Sequence, residues 1–319
     1  MNDALTIIIP TYNRCDLLGE CLTSLEAQPG VPIKVLVMDD GSEEDVTAYV
    51  RENFMGVEVM RSEKNQGFAT TVNAGLRTVT SEYVMLLNND MTLEPDCIER
   101  MMKSMHDQAV DMITPLIVWK DDPETIYSAG DFIRVNGRPE SYGYRAPRRE
   151  VVMPESIFGV TAGAAIYKKK LFDEVGDFDE KFVAYFEDAD WCFRARLAGF
   201  TAGLAPLAVA RHVGSASQNG MTWWRSRQCF RNHALLVIKN MPWSLMFKHL
   251  IAIKLEYLHQ SRRTISSART EFGLVKALGV WAKALLEVLA LYPYAFYARR
   301  GIQKNRKLSP AEVERLLTP

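Results

Sequence analysis

Apolar residues recur along this chain in two rhythms, and the rhythms alternate. Leu5-Thr6-Ile7-Ile8-Ile9 is a short apolar run stopped by Pro10, and it predicts a buried strand. Over 14–28, Leu17, Leu18, Cys21, Leu22 and Leu25 fall on one side of a helix. Strand-like runs return at 33–38, 57–60 and 83–87, with helical stretches between them at 43–53 and 68–79. Pro95 stands near the start of the next helix, where its missing N–H costs nothing. This βαβα alternation predicts an α/β fold whose mostly parallel central sheet is covered by helices.

Farther on the pattern is mixed. Strand-like pieces at 112–119, 126–135 and 158–167 flank a turn-rich Pro/Arg stretch at 138–154, which reads as a mobile loop over a site. A helix is expected over 187–200, opening on acidic residues as its macrodipole prefers. From Met221 the pattern is helical, basic and aromatic. The expected organisation is one domain over 1–220, with halves at 1–118 and 119–220, followed by a helical region at 221–319.

Polar residues gather where strands end: Thr11-Tyr12-Asn13, Asp39-Asp40 and Asn88-Asn89-Asp90. Ligands of open parallel sheets bind along that edge. Charge adds a second asymmetry. Residues 221–307 carry 16 Lys and Arg against 3 Asp and Glu, whereas 1–220 carry 21 against 34. The basic part is therefore expected to meet an anionic surface. Five widely spaced cysteines without a C-x-x-C pair argue against a disulfide framework or a zinc knuckle and for reduced thiols. The start Met1-Asn2-Asp3-Ala4 lacks a basic leader, and no apolar stretch reaches membrane-spanning length. These features predict a cytoplasmic protein, peripheral on the inner face of the membrane.

By residue chemistry alone, each cluster has two readings. Asp40 can accept the imide N–H of uracil or thymine while Tyr12 stacks on the base, or Asp39-Asp40-Gly41-Ser42 merely turns the chain. Asp90 can bridge to a divalent cation, with Asn88 and Asn89 beside a ribose or a metal-bound water, or the triplet is a polar turn. In Phe186-Glu187-Asp188-Ala189-Asp190-Trp191 a carboxylate can act as general base, or the acids cap a helix, with Asp190 and Arg194 as a structural i,i+4 pair. His212, in Arg211-His212-Val213-Gly214-Ser215, is structural or completes a metal site with Asp90. The aromatic and basic helices after 221 either lie in a membrane interface, form a homodimer contact, or present a solvated face. No nucleic-acid-binding motif accompanies them.

Order and spacing over about residues 4–215 resemble glycosyltransferase family 2. The matching elements are Ile8-Ile9-Pro10-Thr11-Tyr12-Asn13-Arg14, Asp39-Asp40-Gly41-Ser42, Asn65-Gln66-Gly67-Phe68 and Asn73-Ala74-Gly75. They continue with Asn88-Asn89-Asp90 at the DxD position, Gly176-Asp177-Phe178-Asp179-Glu180, Glu187-Asp188 and the late His212. The resemblance implies a GT-A fold, a nucleoside-diphosphate sugar, Mg²⁺ or Mn²⁺, and inversion at the anomeric carbon. It implies that Asp90 and His212 bind the metal and that Asp188 is the catalytic base. Pro10, Thr11, Tyr12, Asn13, Arg14, Asp40, Asn65, Gly67, Asn73, Asn88 and Asn89 would face the donor nucleotide. Thr161, Ala162, Gly163, Glu187 and Trp191 would face the sugar and acceptor. One position departs from the pattern: the first Asp of DxD is Asn88, leaving Asp90 as the motif's sole carboxylate.

The Asn-Asn-Asp form resembles the bacterial rhamnosyltransferase branch. It implies dTDP-L-rhamnose as donor, with UDP-linked GlcNAc, galactose or galactofuranose as the alternative. The acceptor would be a saccharide, polyprenyl-diphosphate-linked, in O-antigen or polysaccharide assembly. A dinucleotide oxidoreductase is disfavoured because no G-x-G-x-x-G follows the first strand. A nucleotidyltransferase is disfavoured because Pro10-Thr11-Tyr12-Asn13 stands where a Gly-rich phosphate loop would. A non-catalytic nucleotide- or glycan-binding scaffold remains the rival of another class.

Overall fold

The computed structural model describes residues 5–214 and 222–318. The expected boundary at 220/221, the chain start Met1-Asn2-Asp3-Ala4 and Ser215 lie outside the described residues. The chain forms two compact units. The first comprises Met1–Asp131, Ser141–Glu180 and Phe200–Ala216, and the second comprises Phe132–Glu140, Lys181–Gly199 and Ser217–Pro319.

The first unit begins with the predicted alternation: β1 (Leu5–Thr11), α1 (Cys15–Glu26), β2 (Ile33–Asp39), α2 (Val46–Asn53), β3 (Val57–Arg61), α3 (Phe68–Leu76) and β4 (Tyr83–Leu87). It continues with β5 (Met91–Leu93), α4 (Cys97–Asp107), β6 (Met112–Trp119) and β7 (Ile126–Ser128). A two-stranded hairpin, β8 (Asp131–Ile133) with β9 (Pro139–Ser141), precedes β10 (Ala164–Lys168) and α5 (Lys170–Val175). After α6 (Glu187–Leu197) of the second unit, β11 (Ala202–His212) returns to the sheet.

The sheet runs β3-β2-β1-β4-β10-β6-β11-β5, with β7 on β6. Its first four strands are parallel, as the βαβα pattern requires. From β10 onward it is mixed, because β10 runs antiparallel to both β4 and β6. β1 lies between β2 and β4, so its Ile7, Ile8 and Ile9 are fully buried. Leu18, Cys21, Leu22 and Leu25 of α1 join Ile7 and Ile9 and Met101 and Met105 of α4 in one core. Each such side chain contributes about 1.5–3 kcal/mol by leaving water. β11 breaks register against β6 between Ala205 and Val209, where Pro206 cannot donate to the ladder.

Two local expectations are corrected. The strand expected over 126–135 is split at Gly130, whose φ of 91° leaves extended geometry. The stretch at 138–154 is not a free loop. Within the first unit, Arg145 N–H donates to Ile126 O (2.8 Å), and Ile126 N–H donates to Ala146 O (2.9 Å). Tyr142 N–H donates to Gly130 O, and Ala129 N–H donates to Tyr142 O. These bonds fold the segment onto β7 and satisfy its backbone.

The second unit is helical: α6, then α7 (Thr222–Asn240), α8 (Trp243–Lys248), α9 (Leu250–Phe272), α10 (Leu274–Lys304) and α11 (Pro310–Leu316). The long helices α7, α9 and α10 pack on one another. The unit's interior combines apolar side chains such as Phe182, Trp191, Phe193, Phe230 and Leu236 with buried polar groups. Asp190 is fully buried between Arg194 (2.9 Å), Lys239 (2.9 Å) and Asn240 (2.8 Å). The i,i+4 pair expected at 190/194 is therefore present, joined by a lysine and an amide from α7. No helix among the described residues is long and apolar enough to cross a membrane.

Candidate active site

The parallel strands β1, β2 and β4 bring their C-terminal ends to one edge, and side chains there tie the three loops together. Asp40 N–H donates to Thr11 O (2.9 Å), and Asn89 Nδ2 donates to Thr11 Oγ1 (2.8 Å). Asn13 takes a left-handed conformation (φ 55°) that lets its amide oxygen receive Glu43 N–H at 2.8 Å. Arg14 follows at φ 64°, and the Glu44 carboxylate caps α1 by accepting Arg14 and Cys15 N–H, each at 2.9 Å. Tyr12 keeps an exposed ring beside these loops.

Asp40 is buried and holds a loop. Its two oxygens accept Gln66 N–H (2.7 Å) and Gly67 N–H (2.9 Å), which fixes the start of α3. Gly41 is required beneath it, because a Cβ there would stand 2.5 Å from the Lys64 carbonyl carbon at a φ of 74°. Asn65 remains exposed beside this crossing. Asn73 is buried, its Nδ2 donates to Phe178 O and Glu180 Oε1, and its Oδ1 accepts Phe178 N–H. Its amide ties α3 to the 176–180 segment.

The centre of the edge is Asn88-Asn89-Asp90. Asn88 N–H donates to Gly163 O (2.8 Å), which sets the Thr161-Ala162-Gly163 turn against the triplet. A Cβ on Gly163 would meet Met91 Cε at 2.7 Å, and the flexible end of that methionine would have to yield. Ala162 is buried and contributes backbone only to any site surface. Asp90 and His212 lie 122 positions apart, yet His212 Nε2 stands 3.2 Å from Asp90 Oδ2. Antiparallel pairing of β11 with β5, His212 opposite Met91, makes that contact. Asp90 Oδ1 and His212 Nδ1 are buried and have no hydrogen-bond partner. Below them, burial first and the Asp90 charge second push the Cys21 thiol up, so it stays neutral.

A wall beside His212 was not foreseen. Tyr127 meets the imidazole edge-to-face at 4.2 Å and packs on Trp119 (5.1 Å) and Tyr144 (5.7 Å). The Arg145 guanidinium lies over the Trp119 and Tyr144 rings, at 5.9 and 5.5 Å. Gly214 (φ 76°) crosses Trp119 so closely that a Cβ would stand 2.3 Å from the ring. The aromatic content of 119–144 was the only sequence signal for this wall. Its proximity to His212 depends on β6, β7 and β11 meeting.

In the second unit, Glu187 and Asp188 open α6. Three residues just before them, Val183, Tyr185 and Phe186, hold φ of 65–70°, which is costly for non-glycine residues. Asn232 Nδ2 pins that strained turn by donating to Phe182, Ala184 and Tyr185 carbonyls at 2.7–2.9 Å. Asp188 Oδ1 accepts Ala189 N–H (2.7 Å) at the helix N-terminus, where negative charge is favoured. Glu187 Oε2 is buried without a partner, and burial first, then the Asp188 charge, push the Glu187 carboxyl well above its ordinary value. Trp191 is fully buried, so its indole belongs to the core of the unit and not to an acceptor surface.

The profile of Glycosyl transferase family 2 matches residues 6–176, more than half of the chain. The chain belongs to glycosyl transferase family 2. Among family relatives, a pre-mycofactocin glycosyltransferase of Mycobacterium tuberculosis is 28% identical over 88% of this chain. The chain spans 62% of that relative's length. An N-acetylglucosaminyl-diphospho-decaprenol L-rhamnosyltransferase of the same organism is 24% identical, covering 66% of this chain and 76% of its own. Among solved structures, the mannosyltransferase PcManGT of Pyrobaculum calidifontis, in complex with GDP-Man and Mn²⁺, superposes with a TM-score of 0.58 at 18% identity. That match covers 96% of this chain and 86% of the other. The family member described here thus has the GT-A fold, with a mixed central sheet and C-terminal helices.

Proposed function

We propose that this protein is an inverting glycosyltransferase that uses a nucleoside-diphosphate sugar and a divalent cation. One observation carries the reading: Asp90 and His212 meet at the ligand-binding edge of the sheet, each with a buried atom that lacks a partner. An orphaned carboxylate oxygen and imidazole nitrogen suit Mn²⁺ or Mg²⁺. No cluster of three metal-binding side chains exists among the described residues. The cation would therefore draw further oxygens from the donor diphosphate. When bound, it would neutralise charge growing on that diphosphate as it leaves.

The chain's own residues do the rest. Tyr12 stacks on the base, and Asp40 accepts the imide N–H. A carboxylate has about four acceptor sites, so the two loop bonds leave capacity. Asn88, Asn89 and the turn at Gly163 border the sugar. Arg145, shelved on Trp119 and Tyr144 beside His212, offers a second positive charge to phosphate. Asp188 removes the proton of the acceptor hydroxyl. It stands at the N-terminus of α6, where negative charge is favoured, beside Glu187, whose carboxyl burial pushes toward the neutral form.

The finer reading is dTDP-L-rhamnose as donor and a polyprenyl-diphosphate-linked saccharide as acceptor, at the cytoplasmic membrane face. The Asn-Asn-Asp triplet and the rhamnosyltransferase relative support it. The test is release of nucleoside diphosphate from a panel of dTDP- and UDP-sugars with Mn²⁺ or Mg²⁺. EDTA-sensitive turnover of dTDP-rhamnose is expected, and Asp188→Asn should lower it at least ~10²-fold. Turnover of a UDP-sugar alone would replace the donor. No binding of either diphosphate in the presence of metal would leave a non-catalytic scaffold.

A further inference from the structure

Helix α9 is packed with its polar side inward. Glu256, Gln260, Thr264 and Ala268, four residues apart, are buried. They bond within the unit: Gln260 Nε2 donates to Glu256 Oε1 (2.7 Å), and Thr264 Oγ1 donates to Ser226 O (3.1 Å). The opposite stripe, Ile251, Leu255, Leu258 and Arg262, is exposed. Helix α10 repeats the inversion. Ala277, Ala284, Val288 and Ala295 line its packed side, and Val275, Leu286, Leu289 and Tyr297 face out at 50–86% exposure. Two neighbouring helices thus present large aliphatic stripes outward and keep small or polar residues inside. Apolar side chains turned outward from two packed helices point to a docking face.

Charge selects the occupant. Lys254, Arg262, Arg263, Lys276, Lys283 and Arg300 are exposed on these helices and have no ion-pair partner among the described residues. Of the three acids in 221–307, Glu256 is buried and Glu287 is paired with Arg227, which leaves only Glu271 exposed. A second copy meeting this face would bring like charges together. An anionic bilayer supplies both an apolar layer for the leucines and negative headgroups for the cations.

We infer that the outward stripes of α9 and α10 form an interfacial membrane-docking face that inserts aliphatic side chains into an anionic leaflet without spanning it. This deepens the lipid-linked acceptor reading and rests on it for its purpose only. Vesicle binding is measured without donor or acceptor, so its failure leaves the transfer reaction standing.

The experiment is co-sedimentation of the full chain with phosphatidylcholine vesicles, with and without phosphatidylglycerol. Binding to the anionic vesicles, weakened by salt, is expected. Leu255→Glu combined with Leu286→Glu should lower partition at least ~10-fold. Lys276→Gln and Lys283→Gln should each lower it about fivefold, for the headgroup attraction of one cation. All four positions are exposed, so circular dichroism should stay that of the wild type. Wild-type protein left in the supernatant would overturn the inference. So would equal, salt-insensitive binding to neutral vesicles, or a lipid-free dimer that the leucine pair of substitutions dissolves.

Discussion

In the first unit, Ile7, Ile9, Met85 and Leu86 are fully buried and the candidate site's polar groups stand at strand ends. In the second, the positions turned inward include Asp190, Asn232, Lys239, Glu256 and Gln260, while leucines of α9 and α10 face out. The first unit is held by removal of apolar surface from water. The second relies more on buried polar groups that satisfy one another. Such pairing adds little net stability against a well-packed apolar replacement, yet it makes each partner hard to remove. Both units bury an apolar core, but in the second α9 and α10 turn polar or small residues inward and leave their large apolar side chains free for another medium.

The largest test of this contrast is Asp190→Ala. It removes the buried carboxylate shared by Lys239, Arg194 and Asn240 and should cost about 3–5 kcal/mol in denaturant unfolding. Burial pushes the Asp190 carboxyl up, but Lys239 and Arg194 outweigh it, so its pKa lies below the ordinary 3.8. The matching stabilisation is complete above 3.8 and is lost as pH falls through the lower folded value. A cost below about 1 kcal/mol would mean that the second unit is not held by this network.

Next comes Leu86→Ala in β4. It should cost about 2–5 kcal/mol, through lost transfer energy and a cavity. Intermediate in size is Glu187→Gln. The Glu187 carboxyl is raised above its ordinary 4.5, so its protonated form favours folding. That contribution is present in full below 4.5. Between there and the raised value it is lost with a slope of about 1.4 kcal/mol for each pH step of one. The substitution should flatten the stability profile above pH 4.5, and an unchanged slope would assign the pH dependence elsewhere. The smallest effect is expected from Leu286→Ala, within about 0.5 kcal/mol in lipid-free buffer. A loss there as large as that of Leu86→Ala would show the α10 stripe to be core.

Much of the first unit was legible because strand and helix periods are local. Leu5–Thr11, the α1 stripe and Met112–Trp119 appear where the apolar rhythm places them. The antiparallel insertion of β10, the short β5 and the docking of 141–148 on β7 were not legible, since each depends on distant backbone. The candidate site divides the same way. Asp40 and Asn88-Asn89-Asp90 were visible as polar strand ends. That Asn73 and Trp191 are buried was not legible, because residue type does not reveal burial. Tyr127, Trp119 and Arg145 went unnoticed because only folding sets them beside His212.

By itself, the sequence determined where segments are strand or helix, where polar residues cluster, and that the basic charge lies after residue 221. Backbone stereochemistry and side-chain period act over a few residues, and a linear chain records them directly. Tertiary structure alone decided that Asn232 holds the turn before Asp188 and which side of α9 faces inward, and it made the Asp90–His212 contact, across 122 positions, that the family resemblance implied. An amphipathic period has a direction only relative to what the helix packs against, and here that neighbour, α7, is matched to the polar side.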